Sequence, residues 1–393
     1  MMIAKFLRWP TAIASVALLL SSGCGMGVGT GPATRPEHAA SAPGSIVEVK
    51  PFADIDASVK DLGAEALHAL YRSTSSDGAH TVVSGTLFVP AGKPPPGGWI
   101  TLAIAHGTTG ITPECAPSRS PNMLGQVALV TKFLKEGYAI AFADYQGLGA
   151  PGIHEYLNSR TEAYNVIDSV RALRNARPGV ISDRWLVFGG SQGGGASWAA
   201  AEEAPVYAPE MHLLGAVNAV PAANISGYAQ MAEDGSMTPF QSAAYSALII
   251  SQGRAHPDLD LDLYRRGSVK ANEAALIQCQ GPGLQDRARA VKEIKPEELK
   301  PANHAATLAL KARLESMAVA KRKTDVPMLV IYAGKDEYIK PEWTRQAIED
   351  ACKLGTKIEV DFEADRSHGT FDYTNIIPWL HDRVEGKPLK NPC

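Results

Sequence analysis

The stretch Trp185-Leu186-Val187-Phe188-Gly189-Gly190-Ser191-Gln192-Gly193-Gly194-Gly195-Ala196-Ser197-Trp198-Ala199-Ala200-Ala201 decides the fold. A short apolar run enters a G-x-S-x-G pentapeptide, and a series of small, helix-compatible residues leaves it. That is the order a nucleophile elbow needs: a strand, a sharp turn that exposes the serine hydroxyl, and a helix packed close behind. Glycines two before and two after the serine remove the Cβ clashes such a turn creates. The pentapeptide alone is a weak signal, and its setting between a strand and a helix makes it specific. Ser191 is therefore the candidate nucleophile.

Outward from this point the chain alternates. Short apolar runs at 82–89, 100–105, 139–143 and 186–188 are separated by helical periodicity, clearest over 123–136 and 161–176. Short buried strands alternating with helices predict a mostly parallel central sheet covered on both faces. A further strand is expected at 213–217, after which the alternation stops until 328–332 and 357–362. The intervening segment is Ala-rich, carries Tyr228, Met231, Met237, Phe240, Tyr245, Leu248, Ile249 and Ile250, and has no repeated unit. It reads as a helical cap over 221–323, inserted into a catalytic unit formed by 46–220 and 324–393. A helical layer far from the chemistry is the competing reading, against which stands the preference of binding clefts for domain junctions.

A serine hydroxyl is a poor nucleophile until a base takes its proton, and on such a sheet the chain order is serine, acid, histidine. Downstream of Ser191, His212 lies at a strand edge, and His256 and His304 lie inside the cap. His368, in the polar loop Asp365-Arg366-Ser367-His368-Gly369 just after a strand, is the candidate base. The acid that orients it belongs on the loop after the preceding strand, where Asp336 stands. Glu337 and Asp365 are its competitors. An oxyanion hole needs two preorganised donors. One is the backbone N–H of Gln192; the second comes from the loop His106-Gly107-Thr108-Thr109-Gly110, at Thr108 or, second, Thr109. His106 precedes the serine and is expected to be structural.

The 393 residues carry a formal net charge of -3, from 38 Lys plus Arg against 41 Asp plus Glu. That excludes a basic field able to collect nucleic acid or anionic lipid, and a small neutral substrate fits better. Residues 1–24 read as an export signal: Lys5 and Arg8 precede a short apolar run, and Ser22-Gly23-Cys24 supply small residues at a cleavage point. Leu20-Ser21-Ser22-Gly23-Cys24 is similar to a bacterial lipoprotein signal, although Ser21 stands where Leu is preferred. Membrane attachment through a lipidated Cys24 and plain secretion both stay open. Residues 25–45 read as a flexible tether. Cys115, Cys279, Cys352 and Cys393 form an even set in an oxidising compartment, where three pairings into two disulfides are available. Their spacing lacks the CxxC signature of a zinc site, so no metal is expected.

The segments Ala105-His106-Gly107-Thr108-Thr109-Gly110, Ala143-Asp144-Tyr145-Gln146-Gly147-Leu148-Gly149, Gly190-Ser191-Gln192-Gly193-Gly194, Gly334-Lys335-Asp336 and Ser367-His368-Gly369 together resemble the secretory lipase family of the α/β-hydrolase superfamily. The resemblance runs from about residue 82 onward. It implies an α/β-hydrolase fold with an inserted cap forming an acyl pocket, small-molecule or lipid ester substrates, and no cofactor. Gln146 departs from the family, which usually has Glu there, and altered hydrogen bonding near the site is expected. The resulting expectation is an exported serine carboxylester hydrolase working through an acyl-enzyme. A peptidase of the same fold, with Glu233 and Asp234 as amine-binding candidates, and an inactive binding protein on this scaffold are the alternatives.

Overall fold

A computed structural model describes residues 42–393. The signal segment with Cys24 and the tether through residue 41 lie outside the described residues. The tether was expected to reach 45, yet its last residues are held by the fold. Gly44 N–H donates to Arg72 O at 2.7 Å, and Gly44 O accepts from Asn175 Nδ2 at 2.8 Å.

Nine strands form one sheet: β1 (Ile46–Pro51), β2 (Glu65–Thr74), β3 (His80–Val89), β4 (Trp99–Ala105), β5 (Ala139–Ala143), β6 (Ile181–Gly190), β7 (His212–Ala219), β8 (Met328–Ala333) and β9 (Ile358–Glu363). Their spatial order is β1-β2-β3-β5-β4-β6-β7-β8-β9. The first three strands pair antiparallel and β3 meets β5 antiparallel; from β5 through β4 to β9 every pairing is parallel.

Side chains alternate across a strand, so each buried strand feeds two cores. Ala103, Ala105, Ala139, Ala141 and Ala143 point to one face, where they meet Val166, Ile167, Ala196 and Trp198 of the helices Ser159–Ala176 and Gln192–Tyr207. Leu102, Ile104, Ile140, Phe142, Leu186 and Phe188 point to the other, against Val130 and Phe133 of Val127–Lys135 and Trp379 and Leu380 of Ile376–Val384. Alanines on the first face let those helices approach closely. Burial on both faces explains why these strands read as continuous apolar runs.

The helix expected over 123–136 is split. Met123 and Leu124 take φ of +50° and +52°, so Met123–Gly125 forms a separate 3₁₀ turn before Val127–Lys135.

Between β7 and β8 the described chain forms helices only, including Gly227–Asp234, Pro239–Ala255, Gly283–Glu293 and His304–Ser316. They share a third core of Tyr228, Met231, Tyr245, Leu248, Ile250 and Leu310, joined by Tyr156, Leu157 and Ile339 from outside the insertion. Of the apolar residues singled out there, Phe240 alone stays exposed. Two disulfides use all four expected cysteines: Cys115–Cys279 ties the segment after β4 to the insertion, and Cys352–Cys393 ties the helix Pro341–Lys353 to the C-terminus.

Candidate active site

The chain leaves β4 for β5 on one side and then crosses from β5 to β6 on the other side of β4, so β4 and β6 are neighbours at a reversal of strand order. In open α/β sheets the crevice at the carboxyl ends of such strands is where ligands bind. Ser191 sits there, at the turn from β6 into Gln192–Tyr207, with φ +59° and ψ −119°. Serine adopts this region only when its surroundings impose it. Ser191 N–H donates to Ala219 O at 2.9 Å, and Ser191 O accepts from Ala222 N–H at 3.0 Å. A Cβ on Gly189 would fall 1.9 Å from Gly193 O, and one on Gly193 would fall 1.9 Å from Ala105 O. The glycines two before and two after the serine are therefore required, whereas a Cβ on Gly190 meets nothing closer than 4.0 Å.

His368 and Asp336 reach Ser191 from the loops after β9 and β8. His368 Nδ1 donates to Asp336 Oδ2 at 2.7 Å, which leaves Nε2 as acceptor for the Ser191 hydroxyl at 2.8 Å. The Asp336 side chain is buried, and its other oxygen accepts the N–H groups of Tyr338 and Ile339 at 2.9 and 2.8 Å, so the carboxylate is fixed in place. The competing acids have other partners. Glu337 accepts the backbone N–H of His368 at 3.2 Å, and the exposed Asp365 pairs with Lys335 at 2.8 Å.

The loop after β4 lies against the elbow: a Cβ on Gly107 would sit 3.9 Å from Ser191 Cβ. Thr108 faces the same cavity as Ser191 and His368, and its hydroxyl shares a hydrogen bond of 2.7 Å with Tyr156 OH. Thr109 turns inward, with Oγ1 buried and unpartnered. His106 is buried, with ring nitrogens on Gly107 O and Asp144 O and its own carbonyl accepting from Tyr145 OH, as befits a structural residue.

Residues 122–391 match the family model of the secretory lipases. The chain belongs to the secretory lipase family. It is 25% identical to a secreted triacylglycerol lipase of Malassezia globosa, over 86% of this chain and 78% of that one. Lipase A of Candida antarctica in its closed state superposes with a TM-score of 0.74 at 19% identity, covering 91% of this chain and 86% of the other. A rice cell wall degrading esterase of Xanthomonas oryzae, in a mutant form, gives 0.69 at 18% identity, with 88% and 100% covered. These structures share the α/β-hydrolase fold.

In this secretory lipase-family chain Ser191 opens into a cavity of about 380 Å³. Its walls include Tyr156, Leu157 and Ile339 from the sheet-bearing part and Tyr228, Ala243, Ala247 and Arg287 from the helical insertion. Tyr338 stands beside His368, ring centroids 5.0 Å apart, and its carbonyl accepts from Tyr228 OH at 2.8 Å, linking the insertion to the loop after β8. Glu233 and Asp234 are outside this wall: Glu233 holds His304 at 2.9 Å, and Asp234 accepts from Gln230. His212 and His256 pair with Asp183 and Glu155. His381, a further histidine downstream of Ser191, lies 3.5 Å from Glu136 on the last helix.

Behind Ser191 lies a buried polar set in which Glu162 and His154 were not among the residues expected from sequence. Gln192 Nε2 donates to Glu162 Oε1 at 2.7 Å and to His154 Nε2 at 3.0 Å, while His154 Nδ1 donates to Gln146 O at 3.1 Å. Burial pushes the Glu162 carboxyl up to about 8 and the His154 ring down to about 3, so both are held neutral. The Gln146 side chain, at the family departure, leaves Oε1 buried without a partner. Among the described residues no group of three or more His, Cys, Asp or Glu is arranged to hold a metal ion.

Proposed function

We propose that the chain is an exported serine carboxylester hydrolase working through an acyl-enzyme. The observation that carries this reading is the continuous hydrogen-bonded line from Asp336 through His368 to the hydroxyl of Ser191, which opens on a largely apolar cavity. Ser191 Oγ attacks the ester carbonyl while His368 Nε2 takes its proton, and Asp336 stabilises the resulting imidazolium. The oxyanion is held by the backbone N–H groups of Gln192 and Thr108. His368 then protonates the leaving alcohol, and a water deprotonated by the same ring releases the acid. The helical insertion acts as the cap over the acyl group.

Turnover of p-nitrophenyl esters from acetate to palmitate by the mature domain and its Ser191→Ala variant tests the reading. Serine-dependent release across part of the series is expected. Turnover that survives Ser191→Ala, or no turnover of any ester, overturns it. Export through residues 1–24 belongs to the same reading, and palmitate labelling in a bacterial host separates lipidation at Cys24 from plain release.

A further inference from the structure

Charge in the cavity is one-sided. Its ionisable lining residues are Arg287, His368 and the phenols Tyr156, Tyr228 and Tyr338, and no Asp or Glu joins them. Arg287 lies on the helix Gly283–Glu293, three residues before Ala290 and four before Val291, which pack into the insertion core. That spacing puts Arg287 on the inward face. Arg289 faces outward and pairs with Asp286, whereas Arg287 has no carboxylate partner among the described residues. Its guanidinium is near enough to Tyr156 and Tyr338 to offset part of the burial that raises both phenols. The disulfide Cys115–Cys279, four residues before this helix, anchors it to the segment following the loop of Thr108.

A half-buried guanidinium lining a cavity forfeits part of its hydration, and an anion is the partner that compensates it most strongly. The planar fork of Arg matches a carboxylate in two parallel hydrogen bonds. Resting on the ester-hydrolase reading, we infer that Arg287 binds a second, ionised carboxylate of the substrate, remote from the scissile ester. The preferred substrates are then esters that carry a free acid group rather than neutral ones. Net charge pointed the other way because it sums the whole surface and is blind to a single cation inside a cavity.

The test compares p-nitrophenyl monoesters of adipic, suberic and sebacic acids with p-nitrophenyl esters of the monocarboxylic acids of equal length. Acetates of ω-hydroxy acids and of plain alcohols probe the alcohol side in the same way. The wild type should favour the acidic partner in at least one series. Arg287→Met, which keeps the apolar stem, should lower that kcat/KM ratio about tenfold to hundredfold, and Arg287→Lys should retain part of it. An unchanged ratio in Arg287→Met, or a wild-type preference for the neutral ester throughout, overturns the inference. Calorimetry of monomethyl suberate with Ser191→Ala keeps the two readings apart. Binding that disappears in Ser191→Ala/Arg287→Met supports the anion site even if no ester is turned over, and equal binding in both contradicts it.

Discussion

His368 Nε2 stands 2.8 Å from Ser191 Oγ although 177 residues separate them in the chain. Four strand ends set that distance. Ser191 is fixed by β6 and the carbonyl of Ala219 at the end of β7; His368 is fixed by the loop after β9, Asp336 on the loop after β8, and Glu337 on its backbone N–H.

Asp336→Asn replaces the acceptor for His368 Nδ1–H and favours the wrong tautomer. By analogy with other serine triads kcat should fall by roughly four orders of magnitude with the fold retained. Asp365→Asn, which removes an exposed partner of Lys335, should leave kcat within about twofold. Steady-state kinetics of the two variants checks this, and an equal loss in both would contradict the assignment of the acid.

Gly193→Ala forces a Cβ to within 1.9 Å of Ala105 O, where backbone must move on both sides. It should cost several kcal/mol, beyond the roughly 1 kcal/mol typical of single substitutions, or prevent folding. Gly190→Ala, next to the serine but with open space, should change the melting temperature by a few degrees at most. Calorimetric melting of both variants distinguishes them.

Stability should depend on pH through the set behind Gln192. Glu162 titrates near 8 when folded against an ordinary 4.5, so between those values the folded state binds more protons and stability falls as pH rises. His154 titrates near 3 against 6.5, so over that window stability rises with pH. The Glu162 and His154 slopes oppose each other from 4.5 to 6.5; Glu202, which burial raises to about 7, adds to the downward slope from 4.5 to 7, and above 6.5 the Glu162 contribution continues to be lost with no opposing rise from His154. The melting temperature should therefore decline from about pH 6.5 to 8.5, and Glu162→Gln should remove much of the decline. The same slope in the variant would refute this account.

The two disulfides should separate in their effects. Each closes a long loop, of 164 and 41 residues, and removing either should cost roughly 2–5 kcal/mol. Cys115→Ser/Cys279→Ser also frees the insertion from the segment after β4 and should change KM for esters. Cys352→Ser/Cys393→Ser should lower the melting temperature with KM unchanged. Ester kinetics beside thermal melts resolves the pair.

The parallel half of the sheet was legible because β5 and β8 are buried along their whole length and spell uninterrupted apolar runs. β1 and β2 escaped notice for the opposite reason. β1 is exposed over most of its length, and β2 places Leu67, Ala69 and Tyr71 inward between His68, Leu70 and Arg72. Ser191, Asp336 and His368 could be singled out because strand ends and chain order restrict where a serine, an acid and a base can stand. Which threonine of the loop after β4 faces the cavity required coordinates, since a turn fixes direction where sequence fixes only position. Glu162 was hidden in the first turn of a helix, where an acid reads as a favourable partner for the helix N-terminus rather than as a buried group. Arg287 was hidden among the charged residues of Gly283–Glu293.

The most direct test is to treat the mature domain with a fluorophosphonate and map the adduct by peptide mass spectrometry. The account predicts one stoichiometric adduct on Ser191, lost in Ser191→Ala and strongly slowed in His368→Ala. An adduct on another residue, or labelling that ignores the loss of His368, would contradict it.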